Sequence, residues 1–152
     1  MVLVLAGCTV HETSHTVNGT PVVENPAPDG DVDPCDLPQS LLQDLGVDDM
    51  PLTRGVGSAP TCSWEISSFQ GPRMYYWVSG PTEPDPINEL TPLAGQQAEI
   101  FHESPGLARY IVRLDDHTFD TAYSADISAD TPPAPDGAEL VISALLSKYD
   151  YN

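Results

Sequence analysis

Two short stretches hold residues whose types and spacing could do chemistry. His11-Glu12-Thr13-Ser14-His15 spells H-E-x-x-H. That spacing lets a zinc peptidase hold the metal with two imidazoles on one helical face, the glutamate acting as general base. Leu5-Ala6-Gly7-Cys8 sets a thiol directly after an apolar run that ends in small residues. That is the pattern of an exported chain's cleavage site. The two stretches nearly touch, and their structural demands conflict. A zincin helix needs an apolar stripe, a third ligand and a dry cleft, whereas "TVHETSHTVNGT" is rich in β-branched and turn residues. We therefore read HETSH as a coincidental spacing in a polar tether and assign it no metal.

Leu5-Ala6-Gly7-Cys8 resembles the lipobox of bacterial lipoproteins. In that family the cysteine receives a diacylglyceryl thioether, the preceding peptide is removed and the new amine is acylated. Several acyl chains bury enough methylenes for lasting attachment, where one chain is marginal. Cys8 is the expected lipidation site. A signal peptide also carries a cationic n-region, and none precedes the apolar run at residues 1–7. These residues therefore read as the remnant of a longer signal peptide.

The chain has three cysteines. With Cys8 given to lipid, Cys35 and Cys62 remain, and in an exported protein two leftover cysteines most simply pair. The closed loop of about 27 residues would contribute about 3 kcal/mol in the chain-entropy model.

Charge narrows the function classes. Lys+Arg number 5 against 23 Asp+Glu, a net −18 over 152 residues. Such a surface repels phosphate backbones and anionic headgroups, so neither nucleic acid nor a bare anionic bilayer is an expected partner. Hydrophobic residues make up 40%, enough for one domain with a modest core. No apolar run is long enough to span a bilayer.

The elements that must position these groups follow from periodicity. Residues 1–8 read as signal-peptide remnant and lipobox, 9–33 as a disordered polar tether rich in Pro, Gly, Asn and Asp, and 34–152 as a single α+β domain. In "CDLPQSLLQDLGV", Leu37, Leu41, Leu42 and Leu45 share a helical face, Asp36 is the expected cap, Pro38 fits the first turn and Gly46 stops the helix. "CSWEIS" alternates, with Cys62, Trp64 and Ile66 inward. Strands are expected at 73–79, 96–102, 108–115 and 118–124, the last two joined as a hairpin by "DDHT". A Pro-rich surface loop should fill 80–92. A final helix should carry Val141, Ala144, Leu145 and Tyr149 as its stripe, with Asp136 and Glu139 as a capping-box pair and Lys148 at its C-terminus. The fold class is α+β: an antiparallel β-sheet packed with an N-terminal and a C-terminal helix, with one disulfide.

The order of these motifs resembles an actinobacterial lipoprotein family, domain of unknown function 3558. The resemblance rests on Asp33-Pro34-Cys35-Asp36-Leu37, on Cys62-Ser63-Trp64, on Gly95-Gln96-Gln97-Ala98 and on the helix over 138–148. Members carry a further cysteine pair in their later strands, which this chain lacks. The resemblance implies a cell-surface or cell-wall location and carries over no catalytic residue.

Candidate binding residues remain. Tyr75 and Trp77 alternate along one strand, so one face of the sheet would present them to a sugar ring, to another protein or to a covering loop. Arg109 and Arg113 share a strand face and would either form an anion site or pair with carboxylates across the sheet. Asp29, Asp31, Asp33 and Asp36 have calcium-like spacing, but Pro34 and Ser40 stand where a calcium loop needs Gly and Glu. The expected function is an envelope lipoprotein acting as a binding or interaction module, with no cofactor and no assigned catalytic residue. Its partners would be the membrane through the lipid anchor and an envelope protein or cell-wall ligand, on the extracytoplasmic face of the cell membrane. The alternative is an envelope hydrolase, using zinc through HETSH or a carboxylate pair.

Overall fold

Met74, Tyr76 and Val78 are fully buried while Tyr75 and Trp77 between them are only partly so. That alternation orients the whole sheet, because successive strand residues point to opposite faces. The computed structural model describes residues 14–17, 20–23, 32–55, 61–65, 72–126 and 130–151.

A two-stranded ladder comes first, β1 (Ser14–Val17) against β2 (Thr20–Val23), with His15 opposite Val22. It lies within the stretch read as a tether. The seven-stranded sheet follows: β3 (Leu52–Gly55), β4 (Thr61–Glu65), β5 (Pro72–Ser79), β6 (Glu89–Leu93), β7 (Gln96–Glu103), β8 (Leu107–Arg113) and β9 (Thr118–Ser124). Its spatial order is β3-β4-β5-β9-β8-β7-β6, and every pair is antiparallel. After the meander β3–β4–β5 the chain jumps to the far edge. It then returns strand by strand until β9 docks on β5.

Helices α1 (Gln39–Asp44) and α2 (Ala134–Lys148) provide the helical part of the α+β fold. Burial of Ala134, Ala138, Val141, Ile142, Leu145 and Leu146 puts the α2 stripe against β8 and β9. Leu37, Leu45 and Val47, which flank or end α1, join the same core. Cys35 and Cys62 form the disulfide, with Cα atoms 5.5 Å apart. The covalent link therefore ties the turn ahead of α1 to β4.

Two buried tyrosines connect the layers, and a third ties two strands of the sheet. Tyr76 donates its hydroxyl to the Pro34 carbonyl at 2.5 Å, Tyr110 to Glu103 Oε2 at 2.5 Å, and Tyr123 to the Leu45 carbonyl at 2.9 Å. Burial raises all three phenol pKa values above the ordinary range. Tyr123 also lies close against Gly137 of α2, where an added Cβ would stand 2.3 Å from the ring. One side chain thus sets the distance between sheet, first helix and last helix.

Several local readings are corrected. Helix α1 has six residues, and Asp36 does not cap it. The N-cap is Pro38, without a side-chain bond, because proline begins a helix readily but fixes the entry two residues later than Asp36 would. Asp136 and Glu139 do not form a capping box either. Pro133 is the N-cap, and Glu139 Oε2 instead accepts the Ala94 N–H at 2.6 Å. That bond holds the two-residue β6–β7 turn, in which Ala94 and Gly95 both have positive φ, 52° and 80°, as a tight hairpin turn of this hand requires. The stretch 80–92 is not all loop, since Glu89 to Pro92 belong to β6. Pro92 is tolerated there because β6 is an edge strand. Edge strand β3 was not foreseen.

Candidate functional site

The sheet face opposite the helices is the candidate site, and the register assigns its residues. Tyr75 pairs with Ala122 and Trp77 with Asp120. Ala122 in turn pairs with Arg109, and Asp120 with Ile111. Ile111 pairs with Glu99, and Glu99 with Leu90. These positions all project to one side, away from Tyr76, Tyr110 and Phe119.

At its centre lies a stack of rings around one cation. Tyr75 and Trp77 are parallel to within 20°, with centroids 5.8 Å apart. The Arg109 guanidinium sits 5.9 Å from the Tyr75 ring, 5.4 Å from Trp77 and 4.2 Å from Phe101, within cation–π range of each. Asp120 fixes it in the plane of a bidentate pair, with Nε to Oδ1 2.9 Å and Nη2 to Oδ2 2.8 Å. The Asp120 hydrogen bond raises the Arg109 pKa above its ordinary value, against the opposing effect of burial.

Arg113, four residues on, has a different setting. Its Nε and Nη2 donate to the buried Glu99, and its Nη1 donates to Thr82 Oγ1. The segment 80–88 folds over this pair: Asp85 N–H and Asn88 Nδ2 both donate to Glu99 Oε1 at 3.2 Å, and the Thr82 and Thr118 hydroxyls meet at 2.8 Å. The Arg113 hydrogen bond, ahead of the opposing burial, lowers the Glu99 pKa. Both arginines are therefore held by carboxylates of neighbouring strands, and only Arg109 belongs to the ring cluster.

Beyond the covered pair the face is open. Phe101 is 56% exposed, Leu90 59% and Ile87 84%. Sequence reasoning found Tyr75, Trp77 and Arg109 but missed Phe101, Leu90 and Asp120. Strand β7 is irregular between Ile100 and His102, and a bulge there shifts the alternation that would have phased Phe101.

The other sequence-derived sites separate. Of the HETSH stretch, Ser14 and His15 lie on β1. His11, Glu12 and Cys8 lie outside the described residues, as do Asp29 and Asp31 of the calcium-like series. Asp33 is engaged by Arg54 at 2.7 Å and 2.9 Å and by the Cys35 N–H at 2.9 Å. The Arg54 hydrogen bond leads the causes that lower its pKa. Among the described residues no three His, Cys, Asp or Glu are grouped to hold a metal ion, and no helix is long and apolar enough to cross a membrane. Compared with protein-family models, with curated proteins and with solved structures, the chain has no match.

Proposed function

We propose that the protein is a lipoprotein anchored through Cys8, whose folded domain acts as a binding module at the extracytoplasmic face of the cell membrane. The lipobox spelling and the cysteine count support the anchor. The observation that carries the binding reading is the open outer face. There Trp77, Tyr75 and Phe101 surround an arginine already neutralised by Asp120. Aromatics and a paired arginine at the centre of an exposed patch are what binding surfaces concentrate. The same arginine is ill suited to catalysis on an anion, because a bidentate carboxylate occupies its fork.

Two measurements test this. Mass spectrometry of the mature N-terminus in the native host should find Cys8 acylated, and Cys8→Ala should move the protein from the membrane fraction to the soluble one. An unmodified, soluble Cys8 contradicts the anchor. Pull-downs from envelope extracts with the full chain should recover a ligand that Trp77→Ala loses. Identical recovery with both contradicts the binding face.

A further inference from the structure

The binding reading leaves the ligand's chemistry open, and the outer face narrows it. Four of the five cationic side chains are already engaged: Arg54 with Asp33, Arg73 with Asp126, Arg109 with Asp120 and Arg113 with Glu99. The net charge of the chain is −18, so its long-range field is negative. Ile87, Leu90 and Phe101 form the exposed apolar end of the face, on β7, edge strand β6 and the turn before it. Glu83 and Asp85, both exposed, lie on the loop that bonds to Glu99 of this face, Asp85 through its own N–H.

We infer that this end of the face docks a cationic amphipathic segment of a partner protein, an apolar side chain seating on Phe101 and Leu90 while flanking Lys or Arg side chains meet Glu83 and Asp85. The inference rests on the binding reading above. Other occupants fit less well. A second copy would bring its own −18 charge against the first. Anionic headgroups would be repelled for the same reason. A sugar would find fewer ring faces here, since Tyr75 and Trp77 stack on each other and Arg109 covers one face of Phe101. The aliphatic Ile87 and Leu90 offer a sugar neither a ring nor a hydrogen bond. An apolar anchor ringed by opposite charge suits the face best, because burial supplies affinity while the charges steer and orient the encounter.

The test uses isothermal calorimetry and the full chain carrying Cys8→Ala, which cannot take the lipid anchor. The probes are a synthetic peptide alternating Leu with Lys, its Leu–Glu counterpart, a Lys-only peptide of equal length, and phosphatidylcholine–phosphatidylglycerol vesicles. The Leu–Lys peptide should bind, bind more weakly as salt rises, and lose at least about tenfold in affinity with Phe101→Ser or Leu90→Ser. Leu140→Ser, an exposed position on α2, should change nothing. The Lys-only peptide should bind at least about tenfold more weakly than Leu–Lys. The Leu–Glu peptide and the vesicles should not bind. Equal affinity for Leu–Lys and Lys-only peptides, binding unaffected by Phe101→Ser, binding of Leu–Glu or vesicles, or a dimer abolished by Phe101→Ser would each overturn the proposal. Failure of the Leu–Lys peptide while envelope recovery still depends on Trp77 would refute the partner's chemistry and leave the binding face intact.

Discussion

The two faces of the sheet are drawn from alternate residues of the same strands, yet they solve opposite problems. On β5, Met74, Tyr76 and Val78 enter a core sealed by the helices, while Tyr75 and Trp77 stand on a face that neither described helix covers. Two tyrosines of the inner face, Tyr76 and Tyr123, reach backbone carbonyls of distant segments, Pro34 and Leu45. The outer face satisfies its charges within itself, strand to strand, through Arg109–Asp120 and Arg113–Glu99. The first arrangement binds separate elements into one fold. The second keeps a charged, aromatic surface rigid without drawing on the rest of the molecule. Stability should therefore sit on the inner face and recognition on the outer.

The largest break in that contrast should come from Tyr123→Ala. It removes a buried ring between Gly137 and the Leu45 carbonyl. A loss of about 3–5 kcal/mol is expected in urea melts, and a loss below about 1 kcal/mol would show that the inner face does not carry the fold. Reduction of Cys35–Cys62 comes next. The loop spans 27 residues, so loss of the bridge should destabilise by about 2–4 kcal/mol. Helix α1 should loosen first, since six residues cannot hold a helix unaided. Trp64, on the strand of Cys62 and buried beside Tyr76 at 5.9 Å between ring centroids, should report the change by fluorescence. Identical melts with and without reductant would remove the bridge from the account. Gly137→Ala should cost about 1–3 kcal/mol, because its methyl would overlap the Tyr123 ring. Relief of that cost in Gly137→Ala combined with Tyr123→Leu would localise it.

The outer face should show its character in acid. The folded pKa of Glu99 lies below the ordinary 4.5. Its contribution is therefore complete above that value and is lost as pH falls through the lower folded one. Asp33, lowered from 3.8 by Arg54, acts in the same direction. Urea midpoints should fall across this window, and Glu99→Gln should flatten the acid limb. An unchanged limb in the variant would mean that the Arg113 pair contributes nothing to folding. The smallest stability effect should belong to Phe101→Ser, within about 0.5 kcal/mol, since over half of the residue is already exposed.

What could be read from sequence was whatever repeats along one element. The alternation of "CSWE" and "RMYYWVS" and the stripe Val141, Leu145, Tyr149 each declare a face without reference to any other segment. The cysteine count fixed a pairing that geometry bears out. Properties that depend on a neighbour were harder. Strands β3 and β6 are short edge strands, one ending in Gly55 and the other carrying Pro92, so their strand character comes from the ladder beside them. Both caps were misplaced because a proline set each helix entry and Glu139 was drawn to the Ala94 turn. At the candidate site Tyr75, Trp77 and Arg109 were legible by spacing. Asp120 and Glu99 were not named as partners, since that needs the order β5-β9-β8-β7, and Phe101 was hidden by the bulge in β7.

The claim that recognition belongs to the outer face is tested most directly by site-specific photo-crosslinking in the native host. One photoreactive residue replaces Phe101 on the outer face, and another replaces Leu140 on α2, exposed by 56% and 42% respectively. The account predicts a discrete crosslinked partner from position 101, lost when Trp77→Ala is added, and none from position 140. Crosslinks from position 140 alone, or from position 101 irrespective of Trp77, would contradict it.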